Sequence, residues 1–262
     1  MSIYTIDKEN AQLHISKGNT KLGKGIYTFS TLPGNKDHMP TIEGKGQVVD
    51  IHGTCSKFCT NCAKTGACYA WRSLLLHHNA NAKAWGENTV LLDQGKLWHL
   101  IDEYITKKNS GKTQKIYTFR INVSGEVRDV YDLEYWNFIA KKHPEVTFGI
   151  YTKNYPALEE FMQRNGDSAE NFVINVSEWH GVAKEFLKKY PGKFNVFEYD
   201  DSNLKHCELS EDEKARLAAT PHCSAVDAHG HHAKDANGND ITCDMCKRCY
   251  RKTGKTTAVY AH

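Results

Sequence analysis

Eight of the nine cysteines fall in two groups, and grouped thiolates are soft ligands that select zinc or iron–sulfur clusters. The first group is Cys55, Cys59, Cys62 and Cys68, joined by a run that contains Gly66 and lacks hydrophobic periodicity. It reads as a loop wrapped around a metal. The second is Cys243-x2-Cys246-x2-Cys249, the spacing with which bacterial ferredoxins hold three corners of an iron–sulfur cube, and Cys223 is a candidate fourth ligand. Structural zinc draws instead on paired Cys-x2-Cys units far apart in sequence. The C-terminal group therefore points first to a [4Fe–4S] cluster and second to zinc, and Cys207 is left over.

The 262 residues are enough for a core without covalent staples and suit one large α/β domain. Lys and Arg number 34 against 31 Asp and Glu, and the net +3 is too small to imply a nucleic-acid partner by itself. Lys247, Arg248, Arg251, Lys252 and Lys255 beside Cys249 keep a zinc-binding, nucleic-acid-associated module open, although five charges equally make a solvated face. No leading segment has the apolar core of a signal peptide, and no stretch approaches the roughly 18 apolar residues of a membrane span. The expectation is a cytoplasmic protein with no membrane partner. In a reducing compartment, grouped cysteines are better explained by metal or redox chemistry than by disulfides. His222, His229, His231 and His232 have ligand chemistry, but with eight thiols at hand they read as surface loop residues.

The elements that must position these groups follow from periodicity. Residues 1–45 form an ordered leading segment with short extended pieces, and an apolar run at 47–51 reads as a strand feeding the first cysteine loop. Helical patterns cover 69–78 and 97–107, and residues 115–123 are the clearest strand. Helices at 133–142, 157–164 and 179–190 then alternate with strands at 146–152, 172–176 and 193–198. Alternation of this kind implies right-handed crossovers and a mainly parallel sheet, with the chemistry on loops leaving the C-terminal strand ends. A surface helix at 210–219 carries a capping box of Ser210 and Glu213. The domain spans 1–262, with 200–262 as a cysteine-rich metal-binding segment.

Cys55-x3-Cys59-x2-Cys62 is similar to the spacing by which radical S-adenosylmethionine enzymes hold a [4Fe–4S] cluster through three irons, leaving the fourth open to the cofactor. Those enzymes usually place an aromatic residue before the third cysteine, where Asn61 stands here, and Cys68 is near enough to close the cluster. Ser124-Gly125-Glu126 resembles the short Gly-rich, Glu-ending motif that contacts the cofactor's amino group in the same superfamily. Its plain alternative is a strand-ending turn with a solvated glutamate. Arg120, alternating with apolar neighbours, either points inside toward a carboxylate or anionic ligand or lies exposed on an edge strand. Arg120, Ser124, Gly125 and Glu126 are thus the candidate cofactor-binding residues.

Lys21 to Ser30, Thr54-Cys55, Cys68-Tyr69-Ala70, Arg120 to Glu126, Tyr151 to Lys153 and Ile241 to Cys249 together resemble the gene product 88 family of mostly phage and bacterial proteins. The resemblance implies phage origin, a place in the infected host's cytosol and a fold like the radical S-adenosylmethionine barrel, without implying an activity. Family members commonly have Ser-Gly-Asp where this chain has Glu126, and Pro where it has Ser56. The expected fold is α/β with a mainly parallel sheet forming a partial or complete TIM-like (β/α) barrel. One cluster is expected near Cys55–Cys68 and a second metal site at Cys223, Cys243, Cys246 and Cys249, with a composite site drawing thiolates from both groups as the variant. A small-molecule substrate or a redox partner would then follow, in an enzyme of radical type or in an electron-transfer, sensing or structural protein.

Overall fold

The computed structural model describes residues 3–37, 41–42, 46–57, 68–179, 181–202, 207, 209–227, 229 and 231–260. Cys59 and Cys62 lie outside the described residues.

Two short strands come first, β1 (Ser16–Lys17) and β2 (Ile26–Thr28), followed by a small hairpin of β3 (Thr41–Ile42) and β4 (Gly46–Gln47). Beyond Cys68 run three helices, α1 (Tyr69–Leu76), α2 (His78–Asp93) and α3 (Leu97–Ser110). Strands and helices then alternate as β5 (Thr118–Ile121), α4 (Val130–Lys142), β6 (Thr147–Thr152), α5 (Tyr155–Asn165), β7 (Phe172–Glu178), α6 (Lys184–Lys189) and β8 (Asn195–Asp200). Helix α7 (Glu211–Ala219), the single turn α8 (Cys243–Cys246) and strand β9 (Thr256–Tyr260) follow. Local chemistry explains several boundaries. Asp129 and Asn154 accept from the amides of Asp132 and Ala157 to start α4 and α5, Gly166 at φ 73° ends α5, and Ser210 and Glu213 form the expected capping box.

The sheet has seven strands in the order β1-β2-β5-β6-β7-β8-β9, parallel throughout except for the β1–β2 pair. Because the parallel strands follow chain order, their right-handed connections place the helices on one face. On that face Phe119, Ile121, Phe148, Ile150, Phe172 and Ile174 pack with Ile101, Leu133, Trp136, Leu158 and Phe161 from α3, α4 and α5. The alternate residues, including Arg120, Gly149, Tyr151, Asn175 and Phe197, project to the opposite face. There the C-terminal cysteine segment lies against the sheet. Tyr250 sits over Gly149, so that a Cβ added at Gly149 would be 2.6 Å from Tyr250 Cε1.

The α/β class with a mostly parallel sheet is as expected, but a complete barrel is not. Among the described residues β9 pairs only with β8 and β1 only with β2, so the sheet is open. The apolar run at 47–51 is not a strand of this sheet. Its Gln47 end belongs to the small hairpin and Val49 makes an isolated bridge to Tyr4, because β2, inside the leading segment, takes the place beside β5. Of the helix expected at 179–190, the structure shows Lys184–Lys189, just after the Glu178 carboxylate accepts from the Ala183 amide at 2.7 Å. Helix α2 and strand β9 were not anticipated. The α2 sequence lacks an apolar stripe because buried polar residues on it serve neighbouring backbone: Asn88 donates to the His14 and Ser30 carbonyls, and Thr89 accepts from the Leu32 amide.

Gly149→Ala forces a methyl group against the Tyr250 ring, and overpacking of this kind costs about 1–3 kcal/mol. Urea denaturation should show a lowered midpoint with an unchanged slope; an unchanged midpoint would mean that Tyr250 is not seated on the sheet.

Candidate functional site

A cavity of about 270 Å³ lies on the face of the sheet away from the helices. Cys55, Cys68, Cys223, Cys243 and Cys249 all line it, so the two groups that are far apart in sequence meet around one space. Arg120, Ser124, Gly125 and Glu126 also line it, as do Lys21, Tyr69, Trp71, Tyr151, Lys153 and Trp179. The first-group residues Cys59 and Cys62 fall outside the described residues. Cys246 is not among the described residues of the wall; its sulfur accepts a hydrogen bond from the Ser224 hydroxyl at 3.0 Å. Cys207 lies apart, its thiol 3.6 Å from Asp201 Oδ1.

The Ser124-Gly125-Glu126 turn is built against the leading segment. Gly125 has φ 79°, and a Cβ there would collide with the Thr31 hydroxyl and come within 2.7 Å of Thr54 Oγ1. Thr31 and Thr54 share a 2.7 Å hydroxyl hydrogen bond, the Thr31 amide donates to the Ser124 carbonyl, and the Glu126 amide donates to Thr54 Oγ1. Glu126 is buried, and burial pushes its carboxyl above the ordinary range. Its two oxygens accept from the amides of Val127 and Lys153, at 2.9 and 2.8 Å, and so tie the loop after β5 to the loop after β6. Cys55 follows Thr54 directly, and its sulfur accepts from the Gly34 amide at 3.3 Å.

The C-terminal thiols are held from both sides. The Cys243 and Asp244 amides donate to the Lys21 and Leu22 carbonyls at 3.0 and 2.9 Å, and Gly23 and Gly25 leave room for Thr242 and Asp244. From the sheet, Asn175 Nδ2 donates to the carbonyls of Cys249 and Ile150. Asn195 Nδ2 donates to the Arg251 carbonyl and to Asn175 Oδ1, while Asn195 Oδ1 accepts from the amides of Thr253 and Gly254 and from the Thr253 hydroxyl. Burial pushes the Cys249 thiol up to about 11 and raises Cys243 as well. A metal binding there must displace protons from those thiols.

Arg120 lies inside. Its guanidinium is 4.5 Å from the Tyr151 ring centroid, among Tyr69, Tyr250 and Cys243, and its Nε is buried without a hydrogen-bond partner. Ser124 Oγ and Asn122 Oδ1 are also buried and unpartnered. Also in the wall, Trp179 stacks on Tyr199 at 4.0 Å, and Tyr151 meets Phe197 edge-on at 5.0 Å. Among the described residues, no three His, Cys, Asp or Glu side chains are grouped to hold a single metal ion. A cube differs from a single ion in this respect, because each thiolate takes its own iron and the thiolates surround the group instead of converging on a point. Five thiols spread around one cavity beside Lys21, Arg120 and Lys153 suit such a group.

The chain matches the family model described as gene product 88 over residues 13–252. It belongs to the gene product 88 family. No curated protein and no solved structure matches it. In this gene product 88 chain the four candidate histidines are not among the described residues of the cavity wall. His222 instead pairs with Asp200 at 2.7 Å and stacks on Tyr260. The basic stripe is partly engaged internally: Arg248 donates to the His222 carbonyl, and Lys252 to the Ser168 carbonyl. Lys21, Asn175 and Asn195 were missed from the sequence. The one available signal was Asn175, an amide alternating with apolar residues in the middle of an otherwise hydrophobic strand.

Asn195→Ala removes five hydrogen bonds around a buried amide, and breaking such a network costs on the order of 2–4 kcal/mol. Amide exchange should quicken selectively at Thr253 and Gly254. Protection equal to the wild type would show that this network does not hold the segment.

Proposed function

We propose that this chain is an iron–sulfur protein in which thiolates from both ends hold one [4Fe–4S] cluster on the concave face of a partial (β/α) barrel. The single observation that carries the reading is the shared cavity of Cys55, Cys68, Cys223, Cys243 and Cys249. It favours the composite site over two separate metal sites, because the two groups open on the same space. The Gly34 amide on the Cys55 sulfur and Tyr151 beside the Cys249 thiol are contacts of the kind that stabilise thiolate ligands. Arg120 and Lys21 supply positive charge where an all-thiolate cluster is negative.

Bound there, the cluster supplies one-electron chemistry. The protein's own residues position it, with the Tyr151 ring beside Cys249 and Trp179 in the same wall available to a small molecule. The strict chain order of the parallel strands supports a partial barrel similar to that of radical S-adenosylmethionine proteins. The Cys55-x3-Cys59-x2-Cys62 spacing supports S-adenosylmethionine as the cofactor, with Glu126 and Ser124 in the cavity wall near it. A cluster with every iron bound by a thiolate, serving electron transfer, sensing or stability with a redox partner, is the non-catalytic form of the same reading. A zinc-binding nucleic-acid module is disfavoured by the internal engagement of Arg248 and Lys252. Phage origin and the infected host's cytosol remain part of the proposal. No described helix is long and apolar enough to cross a membrane.

Protein purified without oxygen should contain about four irons and four acid-labile sulfides per chain, and Cys243→Ala should lose them while Cys207→Ala keeps them. About eight of each would replace the shared site with two clusters, and zinc alone would sink the iron–sulfur reading. A change in the reduced cluster's EPR spectrum on adding S-adenosylmethionine would separate the open-iron form from the closed one.

A further inference from the structure

A guanidinium partly withdrawn from water gains from a nearby anion, because desolvating an unpaired charge is costly. Arg120 has none among the described side chains. It forms no ion pair there, its Nε is buried and unpartnered, and its neighbours are the rings of Tyr69, Tyr151 and Tyr250 and the thiol of Cys243. Glu126, a carboxylate in the same cavity wall, has both oxygens occupied by backbone amides. Lys21 adds a second positive charge in the same wall, beside Cys223, Cys243 and Cys249, and its carbonyl accepts from the Cys243 amide.

The placement of Arg120 is fixed by register. It stands opposite Gly149 on β6, the position over which Tyr250 lies, and one position before Ile121 of the helix-facing core. Tyr250 follows Cys249 directly, so the contact that seats the C-terminal cysteines also sets their distance from the guanidinium. Tyr151, under the guanidinium, borders Cys249 as well.

We propose that Arg120, assisted by Lys21, is a positioning residue that raises the reduction potential of the group bound by the thiols. This deepens the proposed function and rests on it. Reduction adds one electron, hence one negative charge, to a group that is already anionic. A fixed positive charge in a low-dielectric setting stabilises the reduced form more than the oxidised form. The guanidinium does not titrate in the working range, so it provides this bias at every physiological pH.

The test is a potentiometric EPR titration of anaerobically purified protein, with iron and sulfide counted in every sample. Arg120→Met with full iron and sulfide should show a reduced-to-oxidised ratio at least tenfold lower at a fixed solution potential, about 59 mV for a one-electron couple. Arg120→Lys should lie between that variant and the wild type, and Lys24→Met, on the exposed side of the same segment, should match the wild type. Should Arg120→Met fail to fold or to assemble, Lys21→Met takes its place, with a shift in the same direction expected. Equal midpoints in loaded proteins would overturn this inference alone. A wild-type chain without iron and sulfide would overturn the cluster reading and this inference with it.

Discussion

The structure depends on a pair of buried amides, Asn175 and Asn195, that face each other across β7 and β8 on the side of the sheet away from the helices. An open parallel sheet leaves one face without helices, and that face needs a covering that also satisfies backbone groups. The two amides provide both, binding the Cys249 and Arg251 carbonyls and the Thr253 and Gly254 amides of the returning chain. The final strand then pairs in parallel with β8, five residues deep. Where a closed barrel would cover its interior by curvature, this chain uses its own cysteine-bearing C-terminal segment. The thiols are thus part of the packing as well as candidate ligands.

The leading segment does the complementary work. Strand β2 continues the sheet at one side, and the residues after it hold the Ser124-Gly125-Glu126 turn through Thr31 and Thr54. The residues before it hold Cys243 and Asp244 through Lys21 and Leu22. One short stretch therefore sets the position of both cysteine groups relative to the strand ends. Helix α2 supports that stretch from behind with side-chain amide and hydroxyl bonds to its backbone, which explains why so many polar residues are buried on a sixteen-residue helix.

What the sequence disclosed was governed by where one physical rule acted alone. Apolar periodicity located α3, α4, α5 and the strands β5 to β8, because in those elements burial against a single core decides residue choice. The same rule misled at Val48 and Val49, which pack with Ile6, Leu74 and Val90 in a separate apolar group and not in the sheet. It missed α2, where hydrogen bonding to neighbouring backbone replaces apolar burial, and β9, which pairs with β8 just past the turn that Asn195 binds. The cysteine groups were legible from spacing, but spacing cannot report that Cys55 and Cys223 share a cavity. That fact comes from tertiary contacts between the chain's two ends.

The charges in the cavity show why those contacts matter. Without a bound group, burial keeps Cys243 and Cys249 protonated and neutral, while Arg120 remains cationic beside them. Arg120 then has no anionic side chain paired with it among the described residues. A ligand that draws the thiols into their anionic form removes both penalties together, since each new thiolate becomes the counter-charge that the guanidinium lacks. On the proposed reading, assembly at the thiols and the packing of this face would be coupled, because the thiolates formed there would give Arg120 the counter-charge it lacks. By this logic the cysteines and the cations belong to a single electrostatic unit, and neither is fully explained as a structural feature without the other.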